Sequence, residues 1–347
     1  SDKINAINDD YTISTKGLAV TLVYADATRG WKSVTGSDAD STGVAALFII
    51  ATGGSPCTGA ICGDYKTHTF TGPGTFCVSQ IGSGGGSTAV DYMIVAGGAG
   101  GGGKNNGGGV GGGGAGGVRV GTVCASPTIP ISAPGYTVSA TGYPIVIGAG
   151  GGCSVNMPSG TAGYVGVASS GFSLTAAGGG GGNDAYDNGA AGGSGGGGGE
   201  AGGCGGAGDT PSVSPPQGKP GGNGNSPSVG GGGGGALCAG ESSTPSASSP
   251  TGDGGDGVDG GAVFGTGSGS PGGFFAGGGG TSTGCPSAGP FQGGAGGGGD
   301  GNSHDQASQN GGVNTGGGGG AHGVTGSPQG GTNAGGSGIV IIRYKFQ

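Results

Sequence analysis

Glycine comes in unbroken runs along this chain, at Gly178–Gly182, Gly195–Gly199 and Gly230–Gly235 among others, and supplies 107 of the 347 residues. Glycine loses more backbone freedom on ordering than any other residue, a cost of about 0.5–1 kcal/mol beyond alanine inside a regular element. An ordered fold with so much of it must exploit what only glycine permits, which is contact between backbones. A collagen helix would need glycine at every third position and abundant proline. The run Gly178–Gly182 followed by Asn183 and Asp184 breaks that period, and there are only 18 prolines. A disordered chain would carry high net charge and few apolar residues, yet only 8% of this one is charged and short aliphatic strings punctuate the glycine.

Those strings bracket the glycine. Val90–Val95 runs into Ala96-Gly97-Gly98, Tyr143–Ile147 runs into Gly148, and Gly338–Tyr344 closes the chain. They are short and rich in isoleucine and valine, as buried strands are. Between them, residues 96–337 alternate glycine runs with Ser, Pro, Asn, Asp and Thr inserts such as Asp209–Pro216 and Glu241–Pro250, which read as loops. A glycine run can adopt the extended three-fold polyproline II conformation, with a rise of about 3.1 Å per residue and no internal hydrogen bonds. Its amides must then bond to neighbouring runs. A flexible linker is the alternative, but terminal strands have value only if something packs on them.

The N-terminal part reads as β structure. Tyr11–Ser14 and Leu18–Tyr24 form a hairpin about Lys16-Gly17, Asp26–Gly30 is a turn into Trp31–Val34, and Ala45–Ile50 is a fourth strand, with Trp31 capping a small core. Tyr65–Phe70 and Thr75–Val78 flank Thr71-Gly72-Pro73-Gly74, a turn that would fold them onto each other. The expected fold class is all-β and irregular, with essentially no α-helix. It comprises an antiparallel β-module at 1–55 for attachment or trimerisation, a β-hairpin segment at 56–95, a body of packed polyglycine II-like rods at 96–337 and a closing strand at 338–347.

Charge and cysteine narrow the function. Seven of the ten basic residues lie between Lys3 and Arg119, so no cationic stripe is available to follow a phosphate backbone, and nucleic acid is not an expected partner. No stretch has the roughly 18 consecutive apolar residues of a membrane span, and Ser1–Ile4 reads as the start of a mature product or of a piece of a longer chain. Eight cysteines suggest disulfides or free thiols, with Cys57 and Cys62 the closest local pair for a disulfide; the wide, irregular spacing of the other six argues against zinc. His68 reads as a solvent-facing strand residue. Ser303-His304-Asp305 reads as a loop, since adjacent residues cannot form a catalytic relay. Asp253, Asp256 and Asp259 share one ridge of a three-fold helix, a solvated acidic edge or a weak Ca²⁺ site. No cofactor is expected.

Four segments together resemble the glycine-rich domain of bacteriophage tail fibres and other virion appendages: Lys66–Val78, Val90–Gly98, Gly142–Gly150 and Gly335–Tyr344. The resemblance covers about residues 64–347, and Val20–Trp31 looks like the β-module that precedes this domain in phage fibres. It implies a non-enzymatic structural or adhesive subunit of a virion, homotrimeric, in contact with other tail proteins and with a host-cell receptor. Distal adhesins of some phages stack polyglycine helices with recognition loops at one end, which makes Tyr186, Phe274, Phe275 and Phe291 the receptor-contact candidates. A self-assembling extracellular filament or matrix protein is the alternative. An ice-binding array lacks its repeated Thr or Ala face, and no constellation supports an enzyme.

Overall fold

A computed structural model of the protein describes residues 21–28, 30–33, 47–83, 86–104, 108–123, 129–152, 160–184, 186–225, 228–244, 251–284, 291–302, 307–323 and 333–347. The strands are β1 (Leu22–Asp26), β2 (Gly30–Ser33), β3 (Ile50–Thr52), β4 (Ser55–Cys62), β5 (Tyr65–Phe70), β6 (Gly74–Gln80), β7 (Ala89–Val95), β8 (Val118–Thr122), β9 (Ser132–Pro134), β10 (Tyr136–Thr137), β11 (Gly142–Ile145), β12 (Ser169–Gly171), β13 (Leu174–Ala176), β14 (Val258–Asp259), β15 (Phe274–Phe275) and β16 (Ile339–Lys345). A four-residue helix, α1 (Gly261–Phe264), lies between β14 and β15. The chain is thus nearly all β and irregular, as its composition requires.

A seven-stranded sheet in the order β4-β5-β16-β7-β8-β9, with β10 also on β7, forms the base. Its two central strands are the aliphatic strings that bracket the glycine, β7 and β16, paired antiparallel from Ile339 against Val95 to Arg343 against Asp91. Successive side chains of a strand point to opposite faces, and here both faces are covered. Val340, Ile342 and Tyr344 join Tyr92, Ile94, Phe70, Phe76 and Phe172 on one side. Ile339 and Ile341 join Met93, Val95, Val258, Phe264 and Phe275 on the other. Burial on both faces explains why these strands are continuously apolar rather than alternating. Arg343 Nε donates to Asp91 Oδ2 at 2.8 Å across the sheet.

Three expectations change. β5 and β6 do not form a hairpin: β5 pairs with β16 and β4, whereas β6 pairs with β11 and β3 in a separate three-stranded sheet. The Gly72-Pro73-Gly74 corner carries the chain from one sheet to the other, and Phe70 and Phe76 join the same core from the two sheets. His68 is fully buried rather than solvent-facing. Its ring stacks on Tyr344, and its nitrogens lie 2.7 Å from Gly53 O and 3.2 Å from Tyr344 Oη. Trp31, expected to cap a small core, is 39% exposed and stands edge to face with Tyr24. The β1–β2 hairpin itself follows the expected Asp26–Gly30 turn. Residues 1–20, including Tyr11–Ser14, and residues 303–306, including Ser303, His304 and Asp305, lie outside the described residues.

Above the sheet, the glycine runs stand side by side as three-fold rods. Along residues 97–103 each successive amide donates to a different neighbour and the sequence repeats every three residues. Gly97, Gly100 and Gly103 donate to Val167, Tyr164 and Thr161; Gly98 and Gly101 to Gly336 and Asn333; Ala99 and Gly102 to Gly114 and Gly111. The carbonyls use three further neighbours: Gly97 and Gly100 accept from Gly179 and Gly182, Ala99 and Gly102 from Gly319 and His322, and Gly98 from Gly151. A rod that donates to three neighbours and accepts from three others sits in a hexagonal lattice, the polyglycine II arrangement expected from the runs. Its spacing leaves no room for a side chain. A Cβ on Gly112 would lie 2.1 Å from Gly279 O, and one on Gly233 would lie 2.0 Å from Gly113 O.

Candidate functional site

The strands fix which end of the lattice is free. β7 leads into rod 96–104 and β8 receives rod 109–117, and the two strands pair in the sheet, so residues 104 and 108 stand at the end remote from it. The same end gathers the ends of other rods, since Gly103 bridges both Thr161 and His322 and Glu200 N donates to Gly109 O. Glycine stops here, and the sparse charges of the chain collect.

Lys104 Nζ lies 3.1 Å from Glu200 Oε1 and 6.0 Å from the centre of the Tyr186 ring. Glu200 is buried, and its other oxygen accepts from Gly109 N at 2.8 Å, so Glu200 links the ends of two rods at Lys104 and Gly109. Asp184 is half-buried and faces Asp187; burial first, and then the Asp187 charge and a hydrogen bond between the two carboxyls, push Asp184 above the ordinary carboxylate range. Asn183 Nδ2 donates to Asn188 O at 2.7 Å and Asn188 Oδ1 accepts from Cys204 N at 2.8 Å, which ties the loop after Gly182 to the next rods. Nearby, His322 is buried with its Nδ1 3.4 Å from Ser308 Oγ, and burial lowers its pKa. The Nδ2 of buried Asn302 has no hydrogen-bond partner among the described residues.

The receptor-contact candidates separate. Tyr186 is 71% exposed at the free end, whereas Phe275 and Phe291 are buried. Phe275 packs with Met93, Val258 and Phe264 against one face of the sheet, and Phe274 is half-buried beside it on β15, at the sheet end of the rods. Aromatic rings next to glycine runs are thus mostly packing, because the lattice offers them no side chains and the sheet does. The acidic ridge is real but does not converge on an ion. Asp253 Oδ1 accepts from Gln292 N at 2.8 Å and Asp256 Oδ1 from Ala295 N at 2.9 Å, two acids three apart matched to two amides three apart on the adjoining rod. Asp259 Oδ1 turns instead to Gly261 N at 2.8 Å. These carboxylates replace the carbonyls of a rod that the lattice edge lacks. Among the described residues no three His, Cys, Asp or Glu side chains are grouped to hold a metal.

Cys57 and Cys62 are free, exposed thiols, not a disulfide. Cys62 stands opposite Tyr65, while Cys57 belongs to the irregular stretch of β4 that follows Ser55 opposite Thr69, so β4 holds them toward opposite ends of β5. Cys77, Cys204 and Cys238 are also free and exposed, and Cys124, Cys153 and Cys285 lie outside the described residues. Sequence reasoning did not single out Lys104, Asp184, Asp187 or Glu200. The available signal was position, since Lys104 and Glu200 each end a glycine run in a chain with few charges.

Strands that bracket a backbone lattice, with loops at its far end, are what a family comparison must match, and the model of the glycine-rich domain matches residues 69–345. The chain belongs to the glycine-rich domain family. The matched span begins in β5 and ends in β16, so this domain takes in the central pair of strands and the lattice they bracket. No curated protein matches the chain.

Proposed function

We propose that this glycine-rich domain is the non-enzymatic scaffold of a virion appendage, a phage tail fibre or tail-tip adhesin that presents the free ends of its rods to a host-cell surface. The observation that carries the reading is the polarity of the lattice. Its sheet end is sealed by two apolar clusters, and its other end gathers Lys104, Asp184, Tyr186, Asp187 and Glu200. A lattice of backbone hydrogen bonds is stiff along the rods and holds those ends at fixed spacing, which suits display rather than turnover.

Attachment falls to the N-terminal hairpin. A two-stranded hairpin is marginal alone in water, and β1–β2 leaves Val23 and Tyr24 each 50% exposed. Those side chains are available to the same hairpin of other copies in a homotrimer, or to another tail protein. The genes flanking the coding sequence test the reading: tail, baseplate or portal genes support it, and secretion or surface-layer genes contradict it in favour of a cellular filament.

A further inference from the structure

Tyr186 is the one large ring exposed at the free end of the described rods, and the described residues on either side of it are held by hydrogen bonds. Tyr186 N donates to Glu200 O and Asp187 N to Asp184 O, both at 3.3 Å, and Asn183 Nδ2 closes onto Asn188 O at 2.7 Å. Tyr186, Asp187 and Asn188 follow one another in the chain and are each exposed.

The chemistry around the ring selects among ligands. Lys104 already places a positive charge over Tyr186 and is itself committed to Glu200. A second cation would be repelled from the ring, and among the described residues no uncommitted cation stands there to receive an anion. Asp184 and Asp187 repel anions further, in a chain of net charge -8. What remains is a neutral ligand with an apolar face for the ring and several O–H groups, which carboxylates accept in charge-assisted hydrogen bonds. A pyranose sugar has both. Resting on the adhesive reading above, we infer that the loop around Tyr186 binds a neutral pyranoside, its C–H face on the Tyr186 ring and its hydroxyls on Asp184 and Asp187.

The test is saturation-transfer NMR on the full chain with methyl glucoside, galactoside, mannoside and N-acetylglucosaminide. Transfer to the C–H protons of at least one sugar is expected, with affinity roughly tenfold or more weaker in Tyr186→Ala and retained in Tyr186→Phe. Unchanged melting of both variants establishes that the lattice is intact. No transfer to any of the four, or equal transfer in Tyr186→Ala, overturns the inference. Adsorption of the labelled full chain to bacterial cells separates the two readings. If the wild-type chain and Tyr186→Ala adsorb equally, the adhesive reading stands and the sugar site falls; if the wild-type chain adsorbs to none, the adhesive reading itself falls.

Discussion

Ile341 and Gly113 are both buried, and they hold the molecule together by opposite means. Ile341 is 1% exposed and packs its side chain against Met93, Val95 and Phe275, a burial that stabilises by roughly 1.5–3 kcal/mol per side chain of this size. Gly113 has no side chain to bury. Its amide donates to Gly319 O and its carbonyl accepts from Gly279 N, each bond contributing about 0.5–1.5 kcal/mol net against a backbone ordering cost of about 1–2 kcal/mol, to which glycine adds about 0.5–1 kcal/mol beyond alanine. One such residue roughly breaks even. The lattice is stable only when nearly every amide finds a carbonyl, so its stability depends on completeness and on the absence of Cβ atoms, whereas the sheet tolerates imperfect neighbours and depends on side-chain volume.

That contrast can be broken most severely in the lattice. Replacing Gly232 and Gly233 together by valine puts Cβ atoms 1.9 Å from Asp253 O and 2.0 Å from Gly113 O. Neither backbone can yield without parting its own bonds, and the expected loss exceeds about 4 kcal/mol, seen as failure to melt cooperatively or to express in soluble form. Ile341→Ala in the sheet should cost about 2–5 kcal/mol in a urea titration while the variant still folds.

Acid should act on the sheet through His68 and on the free end of the lattice through His322, whose pKa burial also lowers. His68 has its pKa lowered, chiefly by burial, and then by Lys66, with the Gly53 hydrogen bond opposing. A base whose folded pKa lies below its unfolded value near 6.5 contributes its full stability above pH 6.5. That stability is lost progressively as the pH falls from 6.5 through the folded value. Melting temperature should therefore decline below pH 6.5, and less steeply in His68→Gln; equal slopes would exclude His68 as the cause. At the lattice edge the effects are smaller. Asp256→Ala leaves the Ala295 amide to water and should cost about 1 kcal/mol, whereas Asp253→Asn keeps an acceptor for Gln292 N. Asp253 is raised in pKa, chiefly by burial, with Glu241 and Asp300 adding to the shift, so removing its charge should be neutral or slightly stabilising. Smallest of all, Gly72→Ala has nothing within 4 Å of the new Cβ and should change stability by less than about 0.5 kcal/mol.

The same contrast explains how far the sequence could be read. Glycine runs announce close backbones and Val90–Val95 and Ile339–Ile342 announce buried strands, because both signals are local. The three-fold ridge of Asp253 and Asp256 was also legible as a ridge. Its purpose was not, because the amides of Gln292 and Ala295 that it accepts lie 39 residues away in each case. The pairing of β5 with β16 rather than β6, the burial of His68 under Tyr344 and the separation of Cys57 from Cys62 are likewise set by long-range partners that no spacing encodes. At the free end, Lys104 and Glu200 meet across 96 residues, which is why that cluster came into view only with the fold.

The central claim is that the glycine runs form a hydrogen-bonded lattice and not a tether, and amide hydrogen exchange tests it most directly. Each amide from Gly111 to Gly117 has a carbonyl partner on a neighbouring rod. Those amides should exchange as slowly as the amides of Ile94 and Ile341 in the central strands. Exchange of the glycine amides at unfolded-chain rates, with Ile94 and Ile341 still protected, would contradict the lattice.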